Sequence, residues 1–132
     1  MKNLKCFLIA LITYVILDVL WLGFVMRDFN VAQLSEIGRI KDGQFDMNFA
    51  PAALTYLLMS FAMAFFVAPK SNARTPLWKS FAWGASMGFV IYGVFDLTNL
   101  AILKGYPLHF ALVDMSWGSV ASGLVGLAIR KA

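Results

Sequence analysis

Three aspartates, Asp18, Asp96 and Asp114, stand inside otherwise apolar stretches of this chain. A carboxylate at the centre of a membrane helix costs about 2.5–3.5 kcal/mol even on the mildest insertion scale, so each needs a partner, a proton or a task. Around Asp96 the run Y-G-V-F-D-L-T-N-L-A-I-L-K (Tyr92–Lys104) adds Thr98 and Asn99. Tyr92, Asp96 and Asn99 fall at i, i+4 and i+7, one face of a helix. Tyr14, Asp18 and Trp21 repeat that arrangement, and Asp114, Trp117 and Gly118 cluster on a third segment. Carboxyls, phenols, an amide and indole N–H groups facing one another make a site that can carry a proton, receive a cation or hydrogen-bond a small ligand. With no basic residue at the same depth, at least one of these acids is expected to be protonated at neutral pH through burial and like-charge proximity.

Other chemistries are less well supplied. His109, the lone histidine, lies about one turn before Asp114 and is a secondary candidate for proton relay, beside Thr98 and Tyr56. No HExxH, paired histidine or CxxC spacing is present, so neither a metal nor another cofactor is expected. Ser116, Ser119 and Ser122 lack a nucleophile elbow, and no Gly-rich phosphate loop occurs. The single cysteine, Cys6, excludes an intramolecular disulfide and reads as a small apolar filler.

The segments that must position these residues are set by hydropathy. The chain has 132 residues, 61% of them hydrophobic and 14% charged, against about 45–50% and 25% in soluble domains. That length fits a single domain over residues 1–132. Four apolar runs, about 4–26, 50–68, 79–103 and 108–129, are each long enough to cross a hydrocarbon core of roughly 30 Å. The expected fold is an all-α integral membrane protein, a four-transmembrane-helix bundle, with no competing strand pattern.

Between spans one and two, Val31, Leu34, Ile37 and Ile40 recur every third residue, which predicts a short amphipathic surface helix with Asn30 as N-cap and Gln33 at N3. Lys41-Asp42-Gly43 reads as its terminating turn. Thr75-Pro76 reads as N-cap and first position of span three. Gly84 and Gly88 on span three, and Gly118, Ser122 and Gly126 on span four, form small-residue ridges that allow close helix approach. A homo-oligomer, or association with another membrane protein, is expected to use those ridges.

Lys and Arg mark the segment ends, where the net charge of +4 favours anionic headgroups over nucleic acid. One side carries seven (Lys2, Lys5, Lys70, Arg74, Lys79, Arg130, Lys131) and the other four (Arg27, Arg39, Lys41, Lys104), which places both termini in the cytoplasm. Counted from the outer boundary at 1.5 Å per residue, Asp18, Asp96 and Asp114 all lie roughly 9–12 Å deep, with Tyr56 at a similar level. The expectation is one acidic level, formed by convergence of three helix faces.

The run Phe95-Asp96-Leu97-Thr98-Asn99-Leu100-Ala101-x-Leu103-Lys104, with Pro107 and Asp114-x-x-Trp117-Gly118 after it and Leu17-Asp18-x-x-Trp21-Leu22-Gly23 before it, resembles the signature of a family of small bacterial membrane proteins of unknown function. The resemblance spans nearly the whole chain. It departs at Phe95, where the family carries a tyrosine, so no phenol is available at that position. The resemblance implies the architecture and a bacterial cytoplasmic (inner) membrane, and it supplies no reaction.

Three functions remain compatible with these residues. The first is binding or translocation of a small ligand or cation at the acidic level, with proton coupling. The second is an accessory subunit whose acids hold the bundle together. The third is a membrane-embedded enzyme on a lipid substrate, using one Asp as acid and another as base, in a pocket open sideways to lipid and walled by Trp21 and Trp117.

Overall fold

A computed structural model describes residues 1–132. Four helices are long and apolar enough to span a membrane: Lys2–Val25, Phe49–Lys70, Leu77–Ile102 and Leu108–Ile129. The first comprises α1 (Lys2–Leu20) and a π-helical turn, Trp21–Val25. A short helix α2 (Arg27–Gln33) follows, then a hairpin of β1 (Ile40–Lys41) and β2 (Gln44–Phe45). The second span joins α3 (Phe49–Ala62) to a π-helical segment, Met63–Val67, and a last 3₁₀ turn, Ala68–Lys70. α4 (Leu77–Ile102) and α5 (Leu108–Ile129) complete the bundle.

The segment between spans one and two departs from the expected single amphipathic helix. The helix stops at Gln33, Asn30 lies inside it and is buried instead of capping it, and Ile40 belongs to the hairpin. The reason lies in Asp42 and Gly43, whose φ angles of 52° and 73° form the two-residue turn that antiparallel strands favour. Lys41 pairs with Gln44 and Ile40 with Phe45 across that turn. Asn48 caps α3, its side chain accepting from the Ala50 amide at 3.3 Å. At α4 the start shifts by one residue: Pro76 takes the cap position, and the Thr75 hydroxyl accepts from the Asn72 amide at 3.0 Å.

α5 is the hub of the bundle. Of its span 39% is buried, against 17% for the spans of α1 and α4, so the other helices share it as their common inner wall. The small residues make this contact. A Cβ on Gly84 or Gly88 would fall on the carbonyl of Ser122 or Gly118, and one on Gly126 would lie 2.6 Å from the Ser80 carbonyl. The ridges expected to mediate assembly are therefore consumed inside the chain, where α4 meets α5 backbone to backbone. Toward the termini, Cys6, Ala10 and Tyr14 of α1 pack with Met59, Met63 and Val67 of the second span and with Val125 and Ile129 of α5. Arg130 closes that end by donating from Nη2 to the carbonyls of Ala73 and Thr75, at 2.8 and 2.6 Å.

Candidate functional site

Asp18 sits one turn below the π-helical segment of span one and is 5% exposed. Its Oδ1 accepts a 2.8 Å hydrogen bond from Nε1 of Trp117 on α5. Trp117 stacks on Trp21 with centroids 4.3 Å apart and planes within 2°, so one aromatic pair orients the carboxyl. The Tyr56 hydroxyl of α3 also reaches Asp18. One turn deeper on α1, Tyr14 is fully buried and shares a 2.7 Å hydrogen bond with Ser122 of α5. Tyr92 of α4 lays its ring where Gly118 lacks a side chain, which brings its hydroxyl within electrostatic reach of Asp18, Asp114, Tyr14 and Tyr56.

Asp96 is fully buried on α4, and its Oδ1 accepts a 2.6 Å hydrogen bond from the Tyr106 hydroxyl. No N–H or O–H donor reaches its Oδ2; the group that faces Asp96 from α5 is the carboxyl of Asp114. Two carboxyls in contact attract only when a proton lies between them. Asn99, one turn above Asp96, approaches the same Tyr106 hydroxyl. Tyr106 belongs to the turn between α4 and α5, and burial, then the adjoining Asp96 carboxyl, raises its pKa above the ordinary phenol value. It therefore stays protonated through the physiological range and acts as a fixed donor.

The polar side chains of all four spans thus meet in one layer. Asp18, Asp96, Asp114, Tyr56, Tyr92, Asn99 and Trp117 belong to it, with Tyr14 one turn deeper and Trp21 stacked behind Trp117. His109 and Thr98 do not, since both side chains are exposed on the outside of the bundle. No three acidic, histidine or cysteine side chains stand close enough to share a metal ion. Tyr106 was missed by sequence reasoning. It lies ten residues beyond Asp96, and only the reversal of the chain at Lys104-Gly105 folds it back over that carboxyl.

One edge of the layer opens sideways. A cleft of about 780 Å³ lies between span one and α3 and is covered by Gln44, Phe45 and Met47 of the hairpin segment. Val15, Val19, Ala53 and Leu57 wall it, Asp18 and Tyr56 supply its deep polar groups, and Arg27 stands at the headgroup end. Asp96 and Asp114 do not line it, so no acid–base pair of aspartates faces the opening. Nor do the tryptophans, contrary to the pocket expected for a lipid enzyme. Stacked on each other, Trp21 and Trp117 line a separate shallow groove of about 410 Å³ with Leu112 and Val120.

Four apolar spans enclosing a layer of carboxyls and phenols define a polytopic helical membrane protein with a buried polar site. Over residues 3–129 the chain matches the family model described as "Predicted membrane protein (DUF2177)", and it belongs to that family. None of the curated proteins and none of the solved structures matches it.

Proposed function

We propose that this protein binds a small membrane-borne ligand, which enters sideways between spans one and two and presents a hydrogen-bonding group to Asp18. The observation that carries the reading is the lateral cleft, in which a carboxyl oriented by Trp117 and Tyr56 lies between apolar walls. An ionised carboxylate offers about four acceptor sites, more than these two donors use. The remaining capacity suits a hydroxyl, amide or ammonium group on the ligand. A bare divalent cation is disfavoured, because only one carboxyl faces the cleft. The Asp96–Asp114 pair, of which Asp96 is buried and Asp114 half-buried, is the group suited to hold an exchangeable proton and couple binding to proton uptake.

On this reading the protein sits in a bacterial cytoplasmic membrane, and the asymmetry of seven Lys and Arg against four supports an orientation with both termini inside. Any homo-oligomer or partner contact falls on the exposed apolar faces of α1 and α4, because the small-residue ridges are already used.

A second reading has its own support: Tyr14–Ser122, Trp117–Asp18 and Tyr106–Asp96 each tie separate segments together, as expected of an accessory subunit held by polar contacts. Native mass spectrometry of the chain extracted from its own membrane separates the two. The ligand reading expects a bound mass that Ala53→Trp and Asp18→Asn both remove. A bound mass unaffected by both substitutions, or none in the wild type, leaves the accessory role standing.

A further inference from the structure

The lateral cleft is asymmetric in charge along its length, and this asymmetry identifies the class of molecule it accepts. Of its lining residues only Asp18 and Arg27 are charged, and they stand at opposite levels. Arg27 is exposed where span one ends, at the headgroup boundary, while Asp18 is nearly buried. Arg27 follows Asp18 by nine positions, across the π-helical turn Trp21–Val25 and the break at Met26. Between them the walls are aliphatic, and the small side chains of Ala52, Ala53 and Gly23 leave the space that a chain would fill. A Cβ at Gly23 would meet nothing within 4 Å, so the bare backbone there borders open space.

We propose that the occupant is an anionic glycerophospholipid, its phosphate held by Arg27 and one acyl chain laid along Val15, Val19, Ala53 and Leu57. This rests on the reading of the cleft as a ligand site and names the chemical class that site takes. The planar guanidinium presents paired N–H donors to two phosphate oxygens, and a zwitterionic headgroup offsets part of that phosphate charge with its own ammonium. The Tyr56 hydroxyl can then donate to an ester carbonyl of the linker, a linker hydroxyl left free in a monoacyl lipid can donate to Asp18, and the tail continues into the apolar part of the cleft. The hairpin residues Phe45 and Met47 close over the linker from outside. Charge at one end, hydrogen-bonding groups in the middle and an aliphatic trough correspond in order to the parts of such a lipid.

Photo-crosslinking in reconstituted vesicles tests this. The full chain is placed in phosphatidylcholine vesicles holding a trace of either phosphatidylglycerol or phosphatidylcholine, both bearing the same diazirine acyl chain, and labelled peptides are mapped by mass spectrometry. Peptides containing Val15–Val19 and Ala53–Leu57 should be labelled about fivefold more by the phosphatidylglycerol probe, the preference that one interfacial basic residue provides. Arg27→Gln should abolish that preference and Arg27→Lys should keep most of it. Ala53→Trp should suppress cleft labelling by both probes without changing labelling of the lipid-facing Val94. Equal labelling by the two probes, or a preference that survives Arg27→Gln, overturns the anionic-lipid assignment while the cleft remains a ligand site. Cleft labelling no stronger than at Val94 with either probe overturns both readings.

Discussion

The Tyr106 hydroxyl donates to Oδ1 of Asp96 across 2.6 Å, joining the loop at the hairpin end of the bundle to the single carboxyl of α4. Tyr106 also meets Phe110 and Phe95 edge to face, with centroids 5.7 and 6.5 Å away. Phe29 and Leu34, from α2 and the turn after it, pack on this same cluster, while Val31, Gln44 and Phe45 of the connecting segment line the lateral cleft. The segment therefore touches the Asp96 latch with one side and roofs the cleft with the other.

Removing the latch hydroxyl should loosen that roof. Tyr106→Phe keeps the ring stacking and deletes one buried hydrogen bond, at a cost of about 1–3 kcal/mol where the acceptor is left unpaired. The expected result is a lower thermal midpoint in detergent and faster amide hydrogen exchange confined to residues 27–47. Exchange that rises uniformly along the chain would mean that Tyr106 stabilises the bundle without controlling the connecting segment.

The contact between Asp96 and Asp114 predicts a proton trapped between them at neutral pH. Infrared difference spectra should show a protonated carboxyl stretch in the wild type that either Asp96→Asn or Asp114→Asn shifts or removes and that Asp18→Asn leaves in place. A wild-type spectrum with only ionised carboxylates contradicts the shared proton. The orphaned Oδ2 of Asp96 would then need a donor from solvent.

The α4–α5 contact predicts opposite outcomes for two glycines. Gly88→Ala drives its methyl into the Gly118 carbonyl, and because both atoms belong to rigid helices the structure must separate them. Overpacking of this kind costs about 1–3 kcal/mol. Gly23→Ala meets nothing within 4 Å and removes a flexible residue from a helical segment, so it should be neutral or stabilising by up to about 1 kcal/mol. Thermal midpoints of the two variants in one detergent decide the matter; equal effects would refute the close backbone contact.

The spans were legible because hydropathy and length alone define them, and the small-residue ridges because Gly-x-x-x-Gly has few other uses in a membrane helix. The shared depth of Asp18, Asp96 and Asp114 followed from counting residues inward from the span ends. Which faces turn toward each other did not, because periodicity specifies a helical face without its neighbour. Sequence therefore placed Trp117 in the polar layer without revealing its bond to Asp18, and assigned Gly118 to an assembly ridge although it accommodates Tyr92. Tyr106 was passed over because it stands in a turn outside every apolar run. The hairpin was legible after all: Asp42-Gly43 between Ile40 and Phe45 is a strong short-range turn signal, outweighed by a three-residue spacing of aliphatics whose members serve separate ends, Val31 lining the cleft, Leu34 packing on the Tyr106 cluster and Ile40 pairing with Phe45.

Whether Asp18 is charged decides between ligand site and polar fastening, and a double-mutant cycle on its bond to Trp117 reads that charge directly. Neutral interhelical hydrogen bonds in membranes couple by about 0.6 kcal/mol on average and reach about 1.7 at most. Bonds to an ionised partner are worth about 1.5–3 kcal/mol, and the low dielectric between helices strengthens them. Trp117→Phe removes the indole N–H while an aromatic ring remains against Trp21, and Asp18→Ala removes the acceptor. The cycle excludes energy that each substitution costs for unrelated reasons, provided neither creates a new contact. A coupling near 2 kcal/mol or above, on the scale of a charged acceptor, is the outcome expected of an ionised Asp18 held ready for a ligand donor in the cleft. A coupling near 0.6 kcal/mol, the membrane average, would identify Asp18 as a neutral fastening between α1 and α5 and remove the chemical basis for ligand recognition there.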